Sequence, residues 1–132
     1  MKRFIYFLLC IFPLLLSCDK DSEGQSDDYY VKYEYSLTFN NVMGSSAYPN
    51  KTISINTDSG VIEVATTSNT YIETIGPVKK GFKASITVKY GNEGSRGGTT
   101  LMKIYVSRGS EPFALKTTNE QYSNTASYTI DY

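Results

Sequence analysis

Six glutamates, Glu34, Glu63, Glu73, Glu93, Glu111 and Glu120, are the folded part's main candidates for acid–base chemistry, and they stand without a single histidine. Two carboxylates about 5 to 9.5 Å apart are enough for glycoside hydrolysis. Each of these acids is isolated in sequence, however, and acids on the polar side of alternating stretches are surface residues solvated by water. A carboxylate-pair glycoside hydrolase therefore stands only as an alternative. The missing histidine removes Ser-His-Asp and Cys-His nucleophile activation and the commonest zinc ligand. A Ser-x-x-Lys pair occurs at Ser17 and Lys20, across a predicted cleavage site. The Gly91 to Gly98 stretch lacks the Gly-Lys-Ser/Thr ending of a phosphate loop and reads as turn geometry. Asp19, Asp21, Glu23 and Gly24 match the opening of a calcium loop, but Tyr30 stands where the closing bidentate glutamate is required. Neither a metal nor a cofactor is expected, and the chain reads as noncatalytic.

The one side chain with a chemistry of its own is the thiol of Cys18. Before it, Lys2 and Arg3 give a charged start, and Phe4 to Leu16 form an apolar run of 13 residues broken only by Pro13. A spanning helix needs roughly 20 apolar residues, so the run fits the h-region of an export signal and not a membrane span. Cys10 lies inside this leader and leaves with it. The cleaved chain then holds no cysteine but Cys18, so no disulfide is open to it.

Leu15-Leu16-Ser17-Cys18 resembles the lipobox of bacterial lipoproteins. The resemblance implies cleavage after Ser17, a diacylglyceryl group on the Cys18 thiol and acylation of the new amine. Each buried methylene of an acyl chain contributes about 0.8 kcal/mol, and stable anchoring takes more than one chain. Residues 1–17 are thus expected to be a signal peptide, and the protein to be held to a membrane through lipid.

Five acids, Asp19, Asp21, Glu23, Asp27 and Asp28, then face the single Lys20 with no apolar residue among them. Residues 18–28 read as the lipidated cysteine and a disordered acidic tether. The run Asp19, Lys20, Asp21, Ser22, Glu23 after the cysteine resembles the surface-export signal of Bacteroidota lipoproteins. That implies an outer-membrane protein facing outward; a spacer in the periplasm is the other reading. Loss of Lys2 and Arg3 leaves 11 basic residues against 13 acidic ones, which indicates no nucleic-acid partner.

From residue 29 to 132 the pattern is period two. Val31, Tyr33, Tyr35, Leu37 and Phe39 alternate with Lys32, Glu34, Ser36 and Thr38; Lys51 to Thr57 and Val61 to Thr66 flank an Asp58-Ser59-Gly60 turn. The spacing predicts further strands over Tyr71 to Ile75, closed by Gly76-Pro77, and over Phe82 to Tyr90. Gly91 to Gly98 reads as a hairpin loop before Thr99 to Ser107, and the last strand runs from Tyr122 to Tyr132. No stretch carries apolar residues at helical spacing over three turns. Seven to eight short strands in one domain predict an all-β fold, an antiparallel β-sandwich of immunoglobulin-like kind.

Val31-Lys32-Tyr33-Glu34-Tyr35, Val78-Lys79-Lys80-Gly81-Phe82, Lys103-Ile104-Tyr105-Val106 and Thr125-Ala126-Ser127-Tyr128 resemble segments of small Bacteroidota lipoproteins. Those are similar in turn to the MmpS-type transport accessory domain of mycobacterial membrane proteins. The resemblance implies a β-sandwich and supplies no catalytic residues. Tyrosine is the abundant binding-type residue, and those alternating with aliphatics, such as Tyr33 and Tyr35, are expected in the core. Tyr29, Tyr48 and Tyr105 break from the aliphatic faces or lie outside strands and are the expected exposed ligand-binding candidates. The reading is a lipid-anchored envelope protein presenting an interaction or accessory module to an envelope complex, with a surface glycan-binding module as the alternative.

Overall fold

The computed structural model describes residues 27–39, 50–91, 98–120 and 123–132. These form eight strands: β1 (Tyr29–Phe39), β2 (Lys51–Thr57), β3 (Gly60–Thr66), β4 (Thr70–Val78), β5 (Lys83–Tyr90), β6 (Gly98–Arg108), β7 (Ala114–Thr118) and β8 (Thr125–Thr129). They build two four-stranded sheets, in the orders β4-β1-β6-β7 and β3-β2-β5-β8. Every neighbouring pair is antiparallel. The fold is a β-sandwich. Its first strand sits inside a sheet between β4 and β6, whereas the first strand of an immunoglobulin domain lies at an edge.

Alternation puts one side of each central strand into the core. Val31, Tyr33, Tyr35 and Leu37 of β1 meet Ile53 and Ile55 of β2, Ala84, Ile86 and Val88 of β5, and Met102, Ile104 and Val106 of β6; all are buried. Ala126 and Ile130 complete the interior from the last strand's side. Removing these side chains from water is the principal stabilising contribution.

Only β2–β3 and β6–β7 are neighbours both in sequence and in space, so the other connections cross between sheets. The step from β5 to β6 is one of these. Gly91 to Gly98 is therefore not a hairpin loop, because the strands it joins belong to different sheets. The expected end of the fourth strand is corrected too: β4 continues through Gly76 and Pro77 to Val78. A register slip between Tyr29 and Val31 accommodates the passage. Pro77 is tolerated because it lies on an edge strand at the register slip, where the ladder with β1 is already interrupted. Gly76, at φ +138°, lies where a Cβ would stand 2.7 Å from Cδ1 of Tyr30 and 2.8 Å from the Tyr29 carbonyl oxygen. No larger residue fits without displacing β1.

Candidate functional site

Three surfaces of the sandwich carry the candidate residues and their neighbours: its two ends and the outer face of the β4-β1-β6-β7 sheet. β1 runs from Tyr29 at one end to Phe39 at the other, and the register with β6 pairs Tyr29 with Arg108 and Phe39 with Gly98. The first end receives residues 27 and 28 and the turns at 58–59, 79–82 and 109–113. The second receives the connections β1–β2, β3–β4, β5–β6 and β7–β8. We call them the tether end and the loop end.

At the tether end the chain is fastened as soon as it arrives. Asp27 pairs with Arg108 at 3.1 Å, Asp28 pairs with Lys79, and the Gly109 N–H donates to the Asp28 carbonyl at 2.8 Å. The Asp28 carboxylate also holds the Lys79 ammonium above its usual pKa by hydrogen bonding. Of the expected tether over residues 18–28, Asp27 and Asp28 are described, and both contact the sandwich through these pairs. Cys18, Asp19, Lys20, Asp21 and Glu23 lie outside the described residues.

Tyr29 is corrected. Expected on the surface, it is 1 % exposed, because it has the inward parity of Val31 and opens β1 as a core residue. Its ring meets Tyr132 edge-on with centroids 5.7 Å apart, and its hydroxyl donates to the Tyr132 carbonyl. Tyr48 lies outside the described residues.

Tyr105 projects from the outer face of its sheet, opposite Lys32, and is half-buried. The Lys32 ammonium stands 4.3 Å from the Tyr105 ring centroid and 5.6 Å from that of Phe113. Lys32 in turn holds Glu34 at 2.9 Å, and this hydrogen bond, with a smaller one from Tyr105, lowers the Glu34 pKa. One face of the Tyr105 ring is thus covered by a cation of its own sheet. Ile72, Leu101, Phe113 and Leu115 stay exposed around this cluster, giving a mixed apolar and charged face. The opposite outer face is rich in hydroxyls, with Thr87 and Thr125 in hydrogen-bonding contact at 3.0 Å.

The loop end holds what the sequence reading missed. Lys51 is 3 % exposed, inside the core rim with the parity of Ile53 and Ile55. That parity is the signal that would have found it. Its ammonium donates to the Ser68 carbonyl at 2.8 Å and stands 5.8 Å from the Tyr35 ring centroid. Burial lowers its pKa. Close by, Tyr35, Tyr90 and Thr100 link their hydroxyls in a chain, while Oδ1 of Asn69, next to Ser68, is buried with no hydrogen-bond partner among the described residues. An open depression of about 460 Å³ lies alongside, lined by Asn50, Ala65, Thr66 and Thr67.

The described glutamates do not converge. Glu34 is on the outer face of one sheet, Glu73 on the edge strand β4 of the same sheet with its register partner Tyr33, Glu63 on an edge strand of the other sheet beside Ser54, Glu111 at the tether end and Glu120 at the loop end. Glu93 lies outside the described residues. Among the described residues no group of three or more acids, histidines and cysteines is placed to hold a metal ion, and no helix is long and apolar enough to cross a membrane. No protein-family model matches the chain, and neither a curated protein nor a solved structure matches it at significance.

Proposed function

We propose that this chain is a noncatalytic, lipid-anchored envelope protein that displays its β-sandwich as an interaction or accessory module at the outer membrane. The observation that carries the reading is the docking of Asp27 and Asp28 onto Arg108 and Lys79 at one end of the sandwich. A lipid on Cys18 would leave only residues 19–26 between anchor and domain. Nine residue steps reach at most about 32 Å. The tether end would then stay near the bilayer, and the loop end would stand about 33 Å further along the length of β1.

The mixed outer face around Lys32, Tyr105 and Phe113 supports a protein partner more than a glycan. A sugar ring stacks on an unobstructed aromatic face, and Lys32 covers one face of Tyr105. The intact mass of the chain recovered from membranes tests the anchor. The native protein is expected to begin at Cys18 and to carry the added mass of acyl chains. A Cys18→Ser variant is expected to lack that mass and to leave the membrane fraction once cleaved. An unmodified Cys18 in the membrane-derived chain would sink the reading.

A further inference from the structure

Four strands bound the two sheets, and three of them carry a device against adding another strand. β4 contains Pro77 beside its register slip, and β7 and β8 are five residues each, with Lys116 on β7. Such devices keep edges from pairing indiscriminately. β3 has none of these: Gly60–Thr66 is seven residues long with no proline and no lysine. Val61 is 64 % exposed and Ile62 47 %, one on each side of the strand, and no described strand pairs with its outer edge. The sequence pattern places Ile62 and Val64 on the core side, opposite Ile55 and Ile53, yet Ile62 overhangs because β3 lies at the rim.

The single charge on this edge, Glu63, decides what it accepts. Two copies joined through β3 by a two-fold axis pair antiparallel, and residues of like parity must face each other to keep the outer faces together. The register that uses all seven residues sets Glu63 against Glu63 of the second copy. Like charges directly opposite each other in an antiparallel pair repel. Sliding to the next register of the same parity leaves only five of the seven residues paired. The edge is thus guarded against itself and open to a strand of opposite charge, a division of labour that gives specificity.

We propose that β3 receives an extended segment of another polypeptide bearing Lys or Arg opposite Glu63 and apolar residues opposite Ile62 and Val64. Main-chain pairing along the edge supplies the affinity, and the alternating side chains select the partner. This rests on the interaction-module reading above and not on the lipid anchor. The basic residue meets Glu63 on the outer face beside Ser54, whose hydroxyl already donates to Glu63 at 3.2 Å. The apolar neighbours cover the overhang of Ile62 on the core side.

A charge-swapped copy of the chain serves as the probe. Full chains carrying two different affinity tags, both with Cys18→Ser so that no acyl chain is attached, are mixed in mild detergent. The pairs are native with native, Glu63→Lys with Glu63→Lys, and native with Glu63→Lys. The mixed pair is expected to be co-recovered at least 10-fold better than either matched pair, with amide-exchange protection gained over residues 61–65. An Ile62→Ser substitution in both partners should abolish the gain, whereas Ile72→Ser on β4 should leave it. Equal recovery of all three pairs, or protection gained on β4 and not on β3, would overturn the proposal. Because no lipid is present, that failure would leave the anchoring reading untouched.

Discussion

The two ends of the sandwich are closed by the same kind of side chain and left in opposite states. At the tether end, Tyr29 reaches out of the core to the Tyr132 carbonyl, and Asp27 and Asp28 complete their charges on Arg108 and Lys79. At the loop end, Tyr35 reaches Tyr90, which in turn meets Thr100, but among the described residues Lys51 has one carbonyl for its ammonium and Asn69 leaves a buried acceptor unpaired. Buried polar groups cost stability unless hydrogen-bonded. The end nearer the proposed anchor is finished structurally, and at the far end the described residues leave polar groups that they do not themselves satisfy. Departures of this kind from internal consistency concentrate where a protein meets something else.

The largest effect is expected from breaking the finished end. Tyr29→Ala removes a fully buried ring together with its bond to the terminal carbonyl and should destabilise the domain by about 3 to 5 kcal/mol, read from the urea midpoint. A loss of less than about 1 kcal/mol would mean that the tether end does not close the core in the way described.

Titration sharpens the contrast between the two kinds of buried group. Burial raises the hydroxyl pKa of Tyr33 and Tyr35 far above the usual tyrosine range, the latter with help from Tyr90. Both stay neutral in the folded state while the unfolded chain ionises near pH 10, so their contribution is complete below about pH 10 and is lost as pH rises beyond it. Lys51 has the opposite sign. Its folded pKa is lowered by burial, so its cost is present at neutral pH and is relieved as pH approaches the ordinary lysine value, where the unfolded state binds more protons. Urea midpoints followed from pH 8 to about 11.5 should therefore rise slightly towards pH 10 and fall above it. Lys51→Met is expected to remove the rise, keep the fall, and leave the domain at neutral pH as stable as before or about 1 kcal/mol more so. A marked loss at neutral pH would mean that the ammonium is fully satisfied and that the loop end is as finished as the other.

Much of this architecture is legible in the alternation of the sequence, and the exceptions have physical causes. Period two places Val31, Tyr33, Tyr35 and Leu37 in the core, and the structure buries them. The Asp58-Ser59 turn joins β2 to β3 as a hairpin. Alternation says which side a residue faces but not which sheet its strand joins, so the crossing between β5 and β6 could not be read from Gly91 to Gly98. Tyr29 shares the parity of Val31, so extending the alternation back by one pair places it in the core, where the structure has it, and not on the surface. For Lys51 the sequence is ambiguous: a lysine at an inward position reads as a strand end, and only packing shows that its stem and ammonium are enclosed. Exposure at Ile62 was beyond reach, since it depends on β3 lying at the rim of its sheet. Of the three tyrosines expected to bind, Tyr105 alone is on a described surface, and Lys32 sits over it.

A smaller effect separates docking from stability at the tether end. The Asp27–Arg108 pair is largely solvated on the aspartate side, and exposed pairs contribute little. Asp27→Asn should leave the urea midpoint within error, while faster amide exchange at Asp28 and Tyr29 reports loosening of the entering chain. A large shift in midpoint would make the ion pair part of the fold itself, not a fastening for the tether.

Protease shaving of intact cells tests the central claim of anchored outward display most directly. The native protein is compared with a variant in which the Asp19 to Glu23 run is replaced by alanine and serine. Digestion of the native domain in intact cells, with the variant protected until the cells are lysed, is the predicted result. Protection of both until lysis would contradict outward display and place the domain on the periplasmic side, where an envelope complex would have to supply the partner.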